Sequence, residues 1–183
     1  MKKLVFTVLI CLSILGANAQ QRIGIKGGLN FAKESDDCKS LLGLQLGVIG
    51  DYFFTENIFA NSGLLYSQKG AKYKDGNITA KYPIHYLEIP INIGYKADLG
   101  NDLAFFAQAG PYLGYAISSD FKFGSGPGEL KRFDAGFNVG AGIEYNKFQF
   151  GATYGFGLAN IANDPGEFKN RVLSLTAVYY LPF

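Results

Sequence analysis

Residues 133–158 read FDAGFNVGAGIEYNKFQFGATYGFGL, and they alternate. Phe133, Ala135, Phe137, Val139, Ala141, Ile143 and Tyr145 share one parity; Asp134, Gly136, Asn138, Gly140, Gly142 and Glu144 share the other. After Asn146-Lys147 the pattern resumes, with Phe148, Phe150, Ala152, Tyr154, Phe156 and Leu158 opposed to Gln149, Gly151, Thr153, Gly155 and Gly157. Successive side chains of a strand point to opposite faces. Two runs of this kind around a short polar turn predict a β-hairpin whose two faces differ in chemistry.

Outward from that hairpin the same period predicts strands near 21–31, 41–54, 58–70, 82–96 and 103–118 before it, and 171–183 after it, eight in all. The connections alternate in length. Thr55-Glu56-Asn57, Ala97 to Asp102 and Asn146-Lys147 are short, whereas 32–40, 71–81, 119–132 and 160–170 are longer and polar. Short turns at one end and long loops at the other are the asymmetry of an up-and-down outer-membrane barrel. The fold class is therefore all-β, an eight-stranded antiparallel up-and-down transmembrane β-barrel.

The composition of the two faces decides which points outward. One is largely Gly, Asn, Gln and Thr, with isolated charges; the other carries strips such as Leu87, Ile89, Ile91, Ile93 and Tyr95. With 24 glycines in 183 residues, the small-residue face suits the crowded inside of a narrow closed barrel, and the apolar face suits lipid. Backbone in hydrocarbon must pair with itself, which closes the sheet. A soluble lipocalin-like barrel, with the apolar face inward around a ligand, is the structural rival. Aromatics gather at both strand ends: Tyr52, Phe53, Phe54, Tyr95, Tyr145, Phe148, Tyr179, Tyr180 and Phe183 at the short-turn end, and Tyr66, Tyr82, Tyr86, Tyr115 and Phe133 at the other. They are expected to form two interfacial girdles.

The first residues have the layout of a cleaved export signal: Lys2-Lys3, an apolar core over 4–16, then Ala17-Asn18-Ala19. The expected division is a signal peptide over 1–19 and one barrel domain over 20–183. Taking away Lys2 and Lys3 leaves 15 basic and 15 acidic residues, so nothing supports nucleic acid as a partner. Without Cys11, Cys38 stands alone, which excludes an internal disulfide and a thiolate metal site.

Several stretches together resemble the outer-membrane β-barrel (porin-like) domain proteins of Gram-negative bacteria. They are Ile23-Gly24-Ile25-Lys26-Gly27-Gly28-Leu29-Asn30, Tyr86-Leu87-Glu88-Ile89-Pro90-Ile91, Ala109-Gly110-Pro111-Tyr112-Leu113-Gly114-Tyr115, residues 134–145, and the terminal Tyr179-Tyr180-Leu181-Pro182-Phe183. The resemblance implies an outer-membrane location with both termini in the periplasm. It also implies that the terminal aromatic segment is read by the barrel-assembly machinery. The family's members share no single activity.

Candidate sites follow from the faces. Lys26, Asp51, Glu88, Lys96, Asp134 and Glu144 fall on the inward parity and are expected to form an ion-pair network filling the lumen, since eight strands enclose room for side chains only. Lys69, Lys72, Lys74, Lys81, Lys131 and Arg132 are expected as loop cations facing lipopolysaccharide phosphates. His85 lies on the outward parity, with Ser118 and Ser119 ending the next strand; the expected role of His85 is that of an interfacial aromatic, with no catalytic residue, metal or cofactor in the chain. The function expected is a structural or surface-interaction scaffold that meets outer-membrane lipid, lipopolysaccharide and an extracellular partner or ligand at its loops. A lipid-modifying barrel enzyme and a narrow pore for small solutes are the alternatives.

Overall fold

The computed structural model describes residues 21–33, 39–75, 78–119, 132–159 and 169–182, excepting the side chains of 33, 39, 71–75, 78–82 and 119. Eight strands run in chain order: β1 (Gln21–Lys33), β2 (Lys39–Phe53), β3 (Ile58–Asp75), β4 (Ile78–Gly100), β5 (Leu103–Ser119), β6 (Phe133–Tyr145), β7 (Phe148–Gly157) and β8 (Arg171–Tyr180). Each is antiparallel to its neighbours, and β8 returns to β1 through pairs such as Leu29↔Leu175, closing an up-and-down barrel without an edge.

Period-two alternation becomes an inside-out barrel. On β2 Leu42, Leu44, Leu46 and Val48 are exposed while Gln45, Ile49 and Asp51 are buried; on β4 Ile91 and Ile93 are exposed (49% and 64%) while Glu88 and Asn92 are buried. The inward glycines make room for rings. A Cβ on Gly136 would stand 2.5 Å from Tyr112 Cε1, and one on Gly94 would collide with the Phe59 ring. Phe59, Tyr86 and Tyr112 are thus wholly buried inside the barrel alongside the polar groups.

Three features depart from the sequence expectation, and the proline inside β4 is accommodated as well. The expected loop 71–81 is instead a continuation of the β3–β4 hairpin, with pairs from Ala71↔Tyr82 out to Asp75↔Ile78. Its sequence supplies the reason, since strand formers (Tyr73, Ile78, Thr79, Tyr82) flank Asp75-Gly76, a strong hairpin turn signal. The expected connection 97–102 narrows to Asn101-Asp102, both at positive φ (54° and 59°) after Gly100 at 82°, a conformation that Asn, Asp and Gly adopt most readily. Pro90 lies within β4 at an interruption between the pairs Ser62↔Ile91 and Leu65↔Glu88, where its carbonyl accepts from Ser62 Oγ at 2.8 Å. Finally, Tyr86 and Tyr180 turn inward instead of joining the girdles: their parity outweighs their position near strand ends. The expected signal peptide, Cys38 and Lys131 lie outside the described residues.

Candidate functional site: the filled lumen

The inward side chains form two charge clusters, one above the other. At the short-turn end Arg22, at the start of β1, donates from Nε to Asp51 Oδ2 (2.9 Å) and from Nη1 to Glu144 Oε1 (2.6 Å). Lys96 Nζ reaches the same Glu144 oxygen at 2.5 Å. Tyr180 donates its hydroxyl to Asp51 Oδ2 at 2.7 Å, and Asn61 Nδ2 donates to Oδ1 at 2.5 Å. The Arg22 guanidinium also stacks 3.7 Å above the Tyr180 ring, a cation–π contact. This cluster draws on β1, β2, β3, β4, β6 and β8 and crosses the barrel.

Toward the long-loop end the central group is Lys69. Its ammonium sits 2.7 Å from Glu88 Oε2 and 3.2 Å from Asp134 Oδ2, and 4.3 Å from the centre of the Tyr112 ring. Asp134 Oδ2 further accepts from Asn170 Nδ2 at 2.8 Å and from the Tyr112 hydroxyl at 3.4 Å. Nearby, Asn30 donates to Ser67 Oγ (3.0 Å) and to the Gln68 carbonyl (3.1 Å) and accepts from Ser174 Oγ (2.8 Å), tying β1, β3 and β8 together. Between the clusters lies Lys26, buried on β1. It borders a cavity of about 20 Å³ lined also by Gln45, Glu88, Asn92, Gln108 and Ser174.

All six residues expected in the lumen point into it. Asp51, Lys96 and Glu144 meet at one level and Glu88 and Asp134 at the other, while Lys26 stands apart from both. Lys69, expected among the loop cations, belongs to the lumen: it shares the inward parity of β3 with Leu65 and Ser67 and is 3% exposed. Lys72, Lys74 and Lys81 are carried on the paired strands of the extended hairpin, where Lys72 and Lys81 are register partners, instead of in a loop. Arg132 is exposed and immediately precedes β6, its carbonyl accepting from the Ala116 amide at 2.7 Å. Arg22, Tyr112, Tyr180, Asn30 and Asn170 join the lumen network although none was expected there from the sequence. For the first four, strand parity was the available signal, since Arg22 and Asn30 share a face with Lys26.

On the outer wall, His85 Nδ1 and the Tyr66 hydroxyl are 2.6 Å apart, and the two rings stack. Ser118 is the register partner of His85 across β4–β5, at a bulge between His85 and Tyr86. Among the described residues there is no cluster of three His, Cys, Asp or Glu side chains able to hold a metal ion.

The arrangement has clear likenesses. Neisserial surface protein A shares 15% identity at a TM-score of 0.55, the alignment covering 88% of this chain and 97% of that one. OprG of Pseudomonas aeruginosa shares 15% at 0.56, over 92% and 99%. The outer-membrane enzyme PagL shares 12% at 0.55, over 85% and 98%. At these identities the likeness is one of fold. No curated protein matches the chain in sequence. Residues 18–163 match the family described as outer membrane protein beta-barrel domain. An inside-out closed barrel and a family match over most of the chain lead to one conclusion: this is an outer-membrane protein, and it belongs to the outer membrane protein beta-barrel domain family.

Proposed function

We propose that the protein is a membrane-embedded scaffold and surface-interaction protein whose lumen is plugged, and that it is not a diffusion pore. The observation that carries this reading is the pair of ion-pair clusters crossing the lumen, centred on Arg22 and Lys69. Opening a water path would strip buried charges of their partners, which costs several kcal/mol per cluster. With the termini in the periplasm, the long-loop end faces outward. There the register neighbours Lys72 and Lys81, with Lys74 and exposed Arg132, favour anionic partners such as lipopolysaccharide phosphates or an acidic extracellular ligand. Insertion uses the barrel-assembly machinery, which reads the aromatic C-terminal segment. The test is a planar-bilayer recording of the refolded barrel. A silent membrane is expected; stable stepwise currents would replace the scaffold with a narrow pore.

One observation favours a second reading, a lipid-modifying enzyme. The Tyr66–His85 contact orients an imidazole on the outer wall, with Ser118 opposite it. Were Nδ1 to donate to the Tyr66 oxygen, Nε2 would be left as an acceptor for a hydroxyl proton. Mass spectrometry of lipid A from cells with and without the gene decides between them. An unchanged acyl pattern is expected for the scaffold, and loss or gain of an acyl chain for the enzyme.

A further inference from the structure

The cavity beside Lys26 has the composition of a binding site. Two of its walls are amide oxygens of deeply buried side chains, Gln45 Oε1 and Asn92 Oδ1 (residues 7% and 3% exposed), and neither accepts a hydrogen bond from a described protein group. A buried acceptor left in this state is costly unless a donor reaches it. Lys26 borders the same space and is equally uncompensated at contact range, for it forms no ion pair among the described residues. Glu88, the one carboxylate among the cavity's lining residues, shares this space with it.

The charge count explains why it is there. The short-turn cluster balances Arg22 and Lys96 against Asp51 and Glu144. The other cluster sets Lys69 alone against Glu88 and Asp134 and so carries one excess negative charge. Lys26 supplies the missing positive charge from across the cavity. A volume of about 20 Å³ holds about one water molecule. Such a water can accept from the ammonium and donate to the two amide oxygens, which gives all three cavity groups a partner.

We propose that the mid-lumen cavity bordered by Lys26, Gln45, Glu88 and Asn92 is a monovalent-cation site whose native occupant is the chain's own Lys26 ammonium, joined to its walls by bound water. The site selects a compact cation with N–H donors, because its walls offer acceptors and a net negative field. It does so whether the barrel serves as a scaffold or as an enzyme. Beyond Cβ the lysine side chain is a propylammonium, so Lys26→Ala leaves a site of that shape and charge preference.

The experiment is chemical rescue. Wild type and K26A are refolded from urea into detergent micelles in propylammonium chloride, in choline chloride of equal ionic strength, or with 1-propanol, and the thermal midpoint is read from the mobility shift between folded and unfolded forms. K26A is expected to melt roughly 10 °C below wild type in choline chloride. Propylammonium should restore most of that difference and 1-propanol should not. Equal rescue by propanol would reduce Lys26 to a filler of space, and no rescue, or no loss of stability in K26A, would equally overturn the proposal. Should K26A fail to refold, K26M retains the stem without the charge. It is expected to melt below wild type in every salt, and a midpoint equal to wild type's would refute the need for a cation.

Discussion

Replacing Lys69 by methionine removes the ammonium and keeps an unbranched stem that ends one atom short of it, so the change acts chiefly on the charge. The side chains of Lys69, Glu88 and Asp134 are 3%, 6% and 0% exposed, which leaves little water to screen what remains. Two carboxylates would then share the long-loop end of the lumen with no cation in contact. Removing one partner of a buried pair costs about 3–5 kcal/mol, and burial this deep places K69M in the upper part of that range. For a chain of this size about 2–4 °C is lost per kcal/mol, so the midpoint of the gel-shift transition should fall by roughly 10–20 °C. The double variant K69M/E88Q removes one carboxylate along with the ammonium and leaves Asp134 still bonded to Asn170 and Tyr112. It should recover much of the loss, the coupling expected of residues in one network. A K69M midpoint within a few degrees of wild type would refute the reasoning and return Lys69 to the exposed cations. A double variant less stable than K69M would show that charge balance does not govern this cluster.

Two further substitutions test the direction of the faces and the closeness of the strands. Ile91→Arg puts a cation at the middle of the outward strip of β4 and should cost about 2–4 kcal/mol in a bilayer, read as a lower midpoint and a poorer refolding yield; if it were tolerated like a surface arginine, the faces would be reversed. Gly110→Ala places a Cβ against the Ile91 carbonyl and 2.7 Å from Asn92 Cα, both backbone atoms of the neighbouring strand, and should cost about 1–3 kcal/mol. Gly27→Ala meets nothing within 4 Å and should change stability by less than about 0.5 kcal/mol, so equal effects at the two sites would sink the steric argument.

The barrel was legible in the sequence because period two is a property of the chain alone, and seven turns of alternating chemistry leave little else to build. The same parity was enough to put Asp51, Glu88, Asp134 and Glu144 inside. What escaped lay where composition argued against parity. Lys69 precedes a stretch rich in Lys, Gly and Asp that resembles a loop, yet strand pairing continues through it to Asp75↔Ile78 and keeps Lys69 in the strand's inward series. Tyr86 and Tyr180 look like girdle residues by position, but the register points them at Lys69 and at Asp51. Arg22 stands next to the start of β1, where a lone cation reads as solvated; only its three-dimensional neighbours, 29 and 122 residues away in sequence, give it a role. Asn170 precedes β8 and carries no strand signal at all, so its bond to Asp134 could not be read in advance.

The lumen's chemistry also bears on where function can reside. Four cations (Arg22, Lys26, Lys69, Lys96) face four carboxylates (Asp51, Glu88, Asp134, Glu144), and nearly every one is bound to another member of the set or to a tyrosine or amide beside it. A charge already paired within the network has less to offer a passing solute than one lined up along an open channel. A porin leaves its lumen lined by charges that water screens, whereas here the charges pair with one another, which is what the plugged-lumen proposal rests on. On the plugged-lumen reading proposed above, recognition falls to the rim, where the sequence concentrates Lys72, Lys74, Lys81 and Arg132, and to the outer wall, where Tyr66, His85 and Ser118 add polar groups to a largely apolar surface. A search for partners should therefore begin with anions at the long-loop end and with lipid at the Tyr66–His85–Ser118 row.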